Sequence, residues 1–202
     1  GALAWGDVWF GGKTRNPWDT TQGSSGSSAG SASSVSAGLV PFAIGTETYG
    51  SIVSPSTVCG TTGLRPTYGR VSRTGAMALS WSMDKIGPIC RSAEDLAIVF
   101  KAIYGPDGID QTIYNCAFNY IPLKTMMGMK IGYLKKDFDK QYDFHTNDSL
   151  TLLKLKELGA ELISIELPDY PVNDLAIMLS AEAGAAFDEL TRSNKDDLLV
   201  RQ

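Results

Sequence analysis

Two short clusters of serine and glycine, separated by an apolar segment, place the strongest constraint on this chain. The first is Gly-Ser-Ser-Ala-Gly-Ser at residues 26–31, and the second is Thr-Glu-Thr-Tyr-Gly-Ser at residues 46–51. Glycine beside serine lets the backbone take a positive φ or approach another group closely, and it leaves nearby N–H groups free to bind an anion. The pattern favours a polar site built from main-chain amides.

Such an arrangement suits acyl transfer, in which a nucleophilic hydroxyl needs several N–H donors aimed at the carbonyl oxygen that becomes negative. Ser51 is the better nucleophile candidate, because the amides of Thr48, Tyr49, Gly50 and Ser51 itself can form this oxyanion hole. Ser27, in the first cluster, would then relay the proton.

The base for such a serine is constrained by composition. The chain has a single histidine, His145, in a polar run at residues 143–148 with no recognisable motif around it. This argues against a Ser-His-Asp triad. The remaining common base for serine is a lysine held neutral by burial.

Taken alone, residues 23–31 are indistinguishable from a flexible Gly/Ser linker. A linker would lead into another domain or into more low complexity, whereas this run leads into an apolar segment that we expect to be buried. The residues expected in that core are Val35, Leu39, Val40, Phe42, Ala43 and Ile44. The context therefore favours a folded segment.

Residues 23–70 resemble the signature of the amidase signature family, in which Gly-Gly-Ser-Ser-Gly-Gly-Ser precedes Gly-Thr-Asp-Thr-Gly-Gly-Ser-Ile. Aligned through Ala-Gly-Leu-Val-Pro at residues 37–41, the family's nucleophile falls on Ser51 and its cis-peptide serine on Ser27, without a gap. The resemblance is dense over residues 11–105. Further matching segments are Asn-Pro-Trp-Asp (16–19), Gly-Leu-Arg-Pro-Thr-Tyr-Gly-Arg-Val-Ser (63–72) and Asp-Lys-Ile-Gly-Pro (84–88).

The resemblance implies an α/β fold with a mixed, twisted β-sheet flanked by helices, here as one incomplete amidase domain over residues 1–202. It also implies hydrolysis of a carboxylic amide to an acid and ammonia or an amine, through an acyl-enzyme on Ser51 with Ser27 as relay. The amides of residues 48–51 would hold the oxyanion, Ser28 and Tyr49 would bind substrate, and no metal or organic cofactor would be required.

This sequence departs from the family pattern at several positions. Tyr49 replaces the first glycine of Gly-Gly-Ser, which keeps the N–H donor but adds a bulky side chain that we expect to point into the acyl pocket. Glu47 replaces the usual aspartate. Val53 and Ser54 stand where some members have an arginine that binds an acidic substrate, so a carboxylate-bearing substrate loses its simplest anchor.

The family's catalytic lysine lies several tens of residues before the cis-serine, whereas twenty-six residues precede Ser27 here. Lys13, in Gly-Gly-Lys-Thr at residues 11–14, matches a different family stretch and is expected to be structural. The base is therefore expected to lie outside this sequence. Two alternatives stay open: the amide-transferring component of a Glu-tRNA(Gln) amidotransferase, its A chain, which Tyr49 and Val53 disfavour, and a catalytically inactive truncated fragment.

Composition limits the partners. The net charge is −4 and there is no basic run, so nothing indicates nucleic acid or a membrane surface, and no apolar stretch approaches the length of a spanning helix. Three widely spaced cysteines fit free thiols in a reducing, cytoplasmic compartment. We expect a small-molecule amide as substrate, and either a homo-oligomer or a complementing segment of chain as a further partner.

Periodicity and turn residues predict the elements around the two clusters. They are a buried helix at 30–38, a buried strand at 41–45, a surface segment at 60–88 with a short strand at 70–72, a helix beginning after Ser92 and ending at Gly105, a parallel βαβ unit at 130–167 and a last helix from Asn173.

Overall fold

The computed structural model describes residues 7–198, which combine helices and strands as the α/β prediction requires. The elements, in chain order, are β1 (Val8–Trp9), β2 (Gly12–Lys13), β3 (Arg15–Asn16), β4 (Asp19–Gly23), α1 (Ala29–Ser36), β5 (Phe42–Glu47), α2 (Val53–Cys59), β6 (Thr62–Gly63), β7 (Lys85–Cys90), α3 (Ala93–Ile103), β8 (Lys130–Tyr133), α4 (Lys135–Phe138), α5 (His145–Glu157), β9 (Glu161–Ser164), α6 (Val172–Leu175), α7 (Ile177–Ala186), α8 (Asp188–Arg192) and a 3-10 turn (Asp196–Leu198).

The chain groups into two compact units. One comprises the residues up to Tyr120 together with those from Asn173 onward, and the other is Ile121–Val172. The single domain expected from the sequence stays a prediction. Both serine–glycine clusters belong to the first unit.

A three-stranded antiparallel sheet, in the order β5-β7-β6, organises the first unit. Its central strand contains Pro88, which has no N–H to give to a neighbouring strand and is therefore unusual in this position. The Pro88 carbonyl compensates by accepting a 3.0 Å hydrogen bond from the amide of Leu64. Residues 85–90 were expected to be a surface segment, so their central place in the sheet corrects the sequence prediction.

The core of this unit is formed where α1 and α2 pack against the sheet. Its fully buried members are Ala32, Val35, Ile52, Cys59 and Ile89. Small side chains on α1 allow the close approach, and the helix itself was predicted. The predicted strand after it is also present, as β5.

Burial along β5 differs from the expectation. Gly45 and Glu47 are buried, whereas Phe42 is 46% and Ile44 41% exposed, because successive side chains of a strand point to opposite faces. Leu39, in the turn before β5, is 77% exposed. The prediction that these three apolar residues are buried was wrong.

The outer edge of β5 is bound by serines from the first cluster. Ser28 Oγ donates to the carbonyl of Thr46 at 3.1 Å and accepts from the amide of Thr46 at 3.1 Å. Ser31 Oγ donates to the carbonyl of Ile44 at 2.9 Å. The serines thus satisfy main-chain groups that would otherwise require another strand.

Two further predictions have opposite outcomes. The helix after Ser92 is confirmed as α3, and Ser92 Oγ accepts the N-cap hydrogen bond from the Asp95 amide at 3.1 Å. The short strand at 70–72 is reduced to an isolated bridge from Val71 to Tyr104 and Gly105.

The second unit confirms the predicted parallel βαβ arrangement. β8 and β9 pair in parallel, with Lys130 opposite Glu161 and Tyr133 opposite Ser164, and α4 and α5 form the connection. Across residues 7–198 as a whole, no helix combines the length and the hydropathy needed to cross a lipid bilayer.

Candidate active site

The two serine–glycine clusters lie in direct contact. The amide of Ser28 donates to the carbonyl of Ser51 at 3.0 Å, and the hydroxyls of Ser25 and Ser54 lie 2.7 Å apart. The peptide bond between Gly26 and Ser27 is cis. The fold therefore brings together two segments that are separated by about twenty residues of helix and strand.

Ser51 lies in the loop that joins β5 to α2. This loop begins at Thr48, two residues later than predicted, since β5 continues to Glu47. Gly50 has φ +112°, a conformation that side chains rarely tolerate, and its carbonyl accepts from the amide of Ser54 at 2.8 Å. The loop is thus a tight turn from a strand into a helix, with its amides following one another closely.

A cavity of about 470 Å³ lies beside the clusters, in the size range typical of small-molecule sites. Its walls include Ser27 and Thr48, and most of the remaining lining is apolar. The apolar side chains are Ala76, Met77, Ala78, Leu79, Trp81, Ile86, Ile109 and Phe187, and the polar ones are Thr46, Arg73, Thr74, Asp84, Lys85 and Asp110.

Glu47 anchors the loop from below. Its side chain is fully buried, and Oε2 accepts from the amides of Ile52 at 2.8 Å and Val53 at 2.9 Å. Oε1 accepts from Arg65 Nη1 at 3.2 Å. A carboxylate at the first turn of α2 satisfies amides that have no partner inside the helix, so this contact fixes both ends of the residue 48–51 loop.

Thr48 is held by two charged neighbours on or beside β7. Its hydroxyl donates to Asp84 Oδ1 at 2.5 Å, and its carbonyl accepts from Lys85 Nζ at 3.3 Å. Lys85 Nζ also donates to the carbonyl of Met83. Burial lowers the pKa of Lys85, and the nearby Glu47 carboxylate opposes this effect.

Arg73, the other cation of the cavity wall, is bound by Asp110. Its amide and Nε donate to Asp110 Oδ2 at 3.0 and 3.1 Å, and Nη2 donates to Thr112 Oγ1 at 3.0 Å. The guanidinium foremost, with the Thr112 hydroxyl, keeps the pKa of Asp110 well below its usual range. This supports the sequence interpretation of Arg73 as a brace.

A carboxylate from α7 holds the turn that contains Trp81. Glu182 accepts from Ser80 Oγ at 2.5 Å and from the amide and hydroxyl of Ser82 at 3.0 and 2.7 Å. These bonds, with that of the Ser80 hydroxyl the largest, lower the pKa of Glu182. Phe187, just beyond α7, completes this side of the cavity.

The predicted site residues have different surroundings. Ser27 and Thr48 line the cavity, and Ser51 and Gly50 are half-buried in the adjoining loop. Tyr49 is 63% exposed and is not part of the cavity lining, while the Ser28 hydroxyl is engaged with Thr46. The roles assigned to all of them stay predictions.

Sequence reasoning classed Asp84 and Lys85 as structural and gave Glu182 no contact. The segment at 84–88 was nevertheless visible as part of the resemblance, which was a signal that it lies near the site. The Glu182 contact spans about one hundred residues and left no local pattern. In the part of the chain that the structure describes, no three or more His, Cys, Asp or Glu side chains are grouped as a metal site.

The chain belongs to the Amidase family, whose model matches residues 7–200. It is similar to the A chain of the glutamyl-tRNA(Gln) amidotransferase of Geobacillus kaustophilus, with 44% identity over 179 residues. That match covers 85% of this chain and 37% of the relative, so the chain spans little more than a third of the relative's length.

Solved structures agree with this assignment. The A chain of the glutamyl-tRNA(Gln) amidotransferase of Thermotoga maritima superposes with a TM-score of 0.78 at 34% identity, covering 89% of this chain and 42% of that one. The native peptide amidase of Stenotrophomonas maltophilia gives a TM-score of 0.75 at 34% identity, covering 89% and 39%. The fold is therefore that of the amidase family.

Proposed function

We propose that the protein hydrolyses a carboxylic amide to the acid and ammonia or an amine. The observation that supports this most directly is the 3.0 Å hydrogen bond from the Ser28 amide to the Ser51 carbonyl, which joins the two clusters beside a cavity. Membership of the Amidase family supports the same chemistry.

In the proposed mechanism, Ser51 Oγ attacks the amide carbonyl and its proton passes to Ser27. The amides of residues 48–51 stabilise the oxyanion, with each donor contributing about 2.7–4 kcal/mol. Collapse of the tetrahedral intermediate breaks the C–N bond, and the relayed proton leaves with the amine. Water then hydrolyses the ester on Ser51 and returns the hydroxyl.

The proposed substrate has an uncharged, largely apolar acyl group. The cavity is mostly apolar, and the hydrogen bonds of its two cations already go to protein groups: Arg73 to Asp110 and Lys85 to main-chain carbonyls. Binding a substrate carboxylate would require breaking those contacts. An aliphatic or aryl-alkyl primary amide should therefore be hydrolysed with at least about tenfold higher kcat/KM than the matching acid-bearing amide.

A fluorophosphonate probe followed by peptide mass spectrometry tests the nucleophile. We expect phosphonylation of Ser51, its loss in Ser51→Ala and its retention in the matched control Ser54→Ala. Labelling should be measured on this segment and on the longest polypeptide of the gene that contains it. Labelling of the longer polypeptide alone would show that further chain completes the site, and labelling of neither would refute the proposal.

A second candidate is the A chain of an amidotransferase, which releases ammonia from glutamine for a partner-bound reaction. It is favoured by the 44% identity to a relative of that name. Val53 in place of the family's arginine disfavours it. Glutaminase activity together with copurifying partner chains would support this candidate over the hydrolase, in which case the further partner would be a different polypeptide rather than a second copy.

We place the protein in the cytoplasm, because all three cysteines are free thiols. Fractionation of the source cells tests this.

A further inference from the structure

Asp84 and Lys85 are adjacent, oppositely charged residues that both bind Thr48, but through different groups. Asp84 accepts from the Thr48 hydroxyl at 2.5 Å, whereas Lys85 donates to the Thr48 carbonyl at 3.3 Å. Thr48 is buried and is the first residue after β5. Three further contacts fix the two charged residues, so Thr48 is held against a rigid support.

Those contacts come from the cavity wall. Asp84 Oδ2 accepts from the amides of Leu79 at 2.8 Å and Ser80 at 3.0 Å, and Lys85 also donates to the Met83 carbonyl. Lys85 is the first residue of β7 and lies opposite Glu47 in the β5–β7 register. The support is therefore the sheet on one side and the turn at residues 79–83 on the other.

The contact to the Thr48 carbonyl has a consequence for the next residue. Because a trans peptide unit is planar, the Thr48 carbonyl and the Tyr49 N–H point in opposite directions, so fixing one fixes the other. A charged donor on the carbonyl also polarises the peptide and strengthens its N–H as a donor. The Tyr49 N–H is one of the proposed oxyanion donors.

We propose that Asp84 and Lys85 are positioning residues for the oxyanion loop, residues 48–51: together they set the orientation of the Thr48–Tyr49 peptide and hence of the Tyr49 N–H. This inference rests on the proposed function, since it assigns a role within the same site. Neither residue needs to touch the substrate for this role.

A matched pair of ligands separates oxyanion stabilisation from general binding. A peptide aldehyde forms a tetrahedral adduct with a serine, whereas the corresponding alcohol does not. Lys85→Met, Asp84→Asn and Thr48→Val should each weaken aldehyde binding by about ten- to a hundredfold, approaching the loss of one oxyanion donor, and change alcohol binding by less than about twofold. Lys85→Arg and Thr48→Ser should retain most of the aldehyde preference, and Lys135→Met in α4 serves as the control.

Equal losses for aldehyde and alcohol, or no loss for either, would overturn the inference. A wild type without aldehyde preference and without probe labelling of Ser51 would instead refute the proposed function. In that case hydrogen exchange decides the positioning role separately: exchange at residues 48–51 should be at least about fivefold faster in Lys85→Met and Asp84→Asn than in the wild type. Unchanged exchange in these folded variants would overturn it.

Discussion

The fully buried carboxylate of Glu47 forms a 3.2 Å ion pair with Arg65, whose side chain is 56% exposed. The same carboxylate accepts from two main-chain amides at the start of α2, so the buried charge is stabilised chiefly by groups that cannot move away. The exposed arginine contributes the smaller share.

Glu47→Gln is therefore expected to lower the free energy of unfolding by about 1.5–3 kcal/mol, because hydrogen bonds to a charged acceptor become bonds to a neutral one. Arg65→Met should cost no more than about 1 kcal/mol. Urea unfolding of both variants measures the difference. A larger loss in Arg65→Met than in Glu47→Gln would contradict this division.

Gly87, in β7, has no space for a side chain. A Cβ there would lie 2.1 Å from the Leu64 carbonyl oxygen, and we expect Gly87→Ala to destabilise the fold by about 3 kcal/mol. At Gly30, in α1, a Cβ would meet nothing within 4 Å, so Gly30→Ala should stabilise by about 0.5–1 kcal/mol. Thermal unfolding of the two variants should shift in opposite directions, and shifts of the same sign would refute the packing around β7.

The three thiols should react at different rates. Burial raises the pKa of Cys59, and raises that of Cys90 to about 11, whereas Cys116 is exposed. At pH 8 a raised pKa means less reactive thiolate, so a disulfide reagent should modify one thiol at least about a hundredfold faster than the other two. Peptide mapping should identify it as Cys116, and all three should react in denaturant. Rapid modification of Cys90 in the folded protein would contradict the result.

Glu182 should make the stability of the Trp81 turn depend on pH. Its pKa is lowered by the bonds from Ser80 and Ser82, so the ionised form is favoured by folding. The contribution is fully present above the ordinary pKa of a glutamate and is lost as pH falls through the lowered one. Glu182→Gln should therefore unfold at a lower temperature than the wild type at pH 7, and the gap should narrow towards pH 3.

Trp81 fluorescence is not selective for this comparison, since other tryptophans contribute, so calorimetry is the appropriate measurement. Glu189→Gln, on the neighbouring α8, provides a control of the same chemistry. A gap that stays constant from pH 7 to pH 3 would show that the carboxylate has no role in holding the turn.

Local patterns predicted those elements whose burial and termini are set by neighbouring residues. The capping serine Ser92, the small-residue helix α1 and the alternation of strand and helix around α5 were all readable from sequence. The contact between the clusters was foreseen through the resemblance, since no local rule indicates that Ser28 meets Ser51.

Other features depend on pairing at a distance. Residues 85–90 combine a lysine, a glycine and a proline, which disfavour a central strand, and only the partners β5 and β6 reveal their place. The exposed side of β5 was misjudged because an apolar run does not show which of its two faces meets the core. Contacts such as Glu182 to Ser80 involve polar side chains with no periodicity at all.

The hydroxyls of Ser28 and Ser31 along β5 have a consequence for self-association. An uncovered strand border invites another polypeptide to add to it, and proteins commonly resist this with charges, bulges or prolines. Here three main-chain groups of β5 are already occupied by alcohols from the preceding helix region, so an incoming strand would have to displace them before pairing. A serine run that resembles a spacer thus protects this margin of the sheet against aggregation.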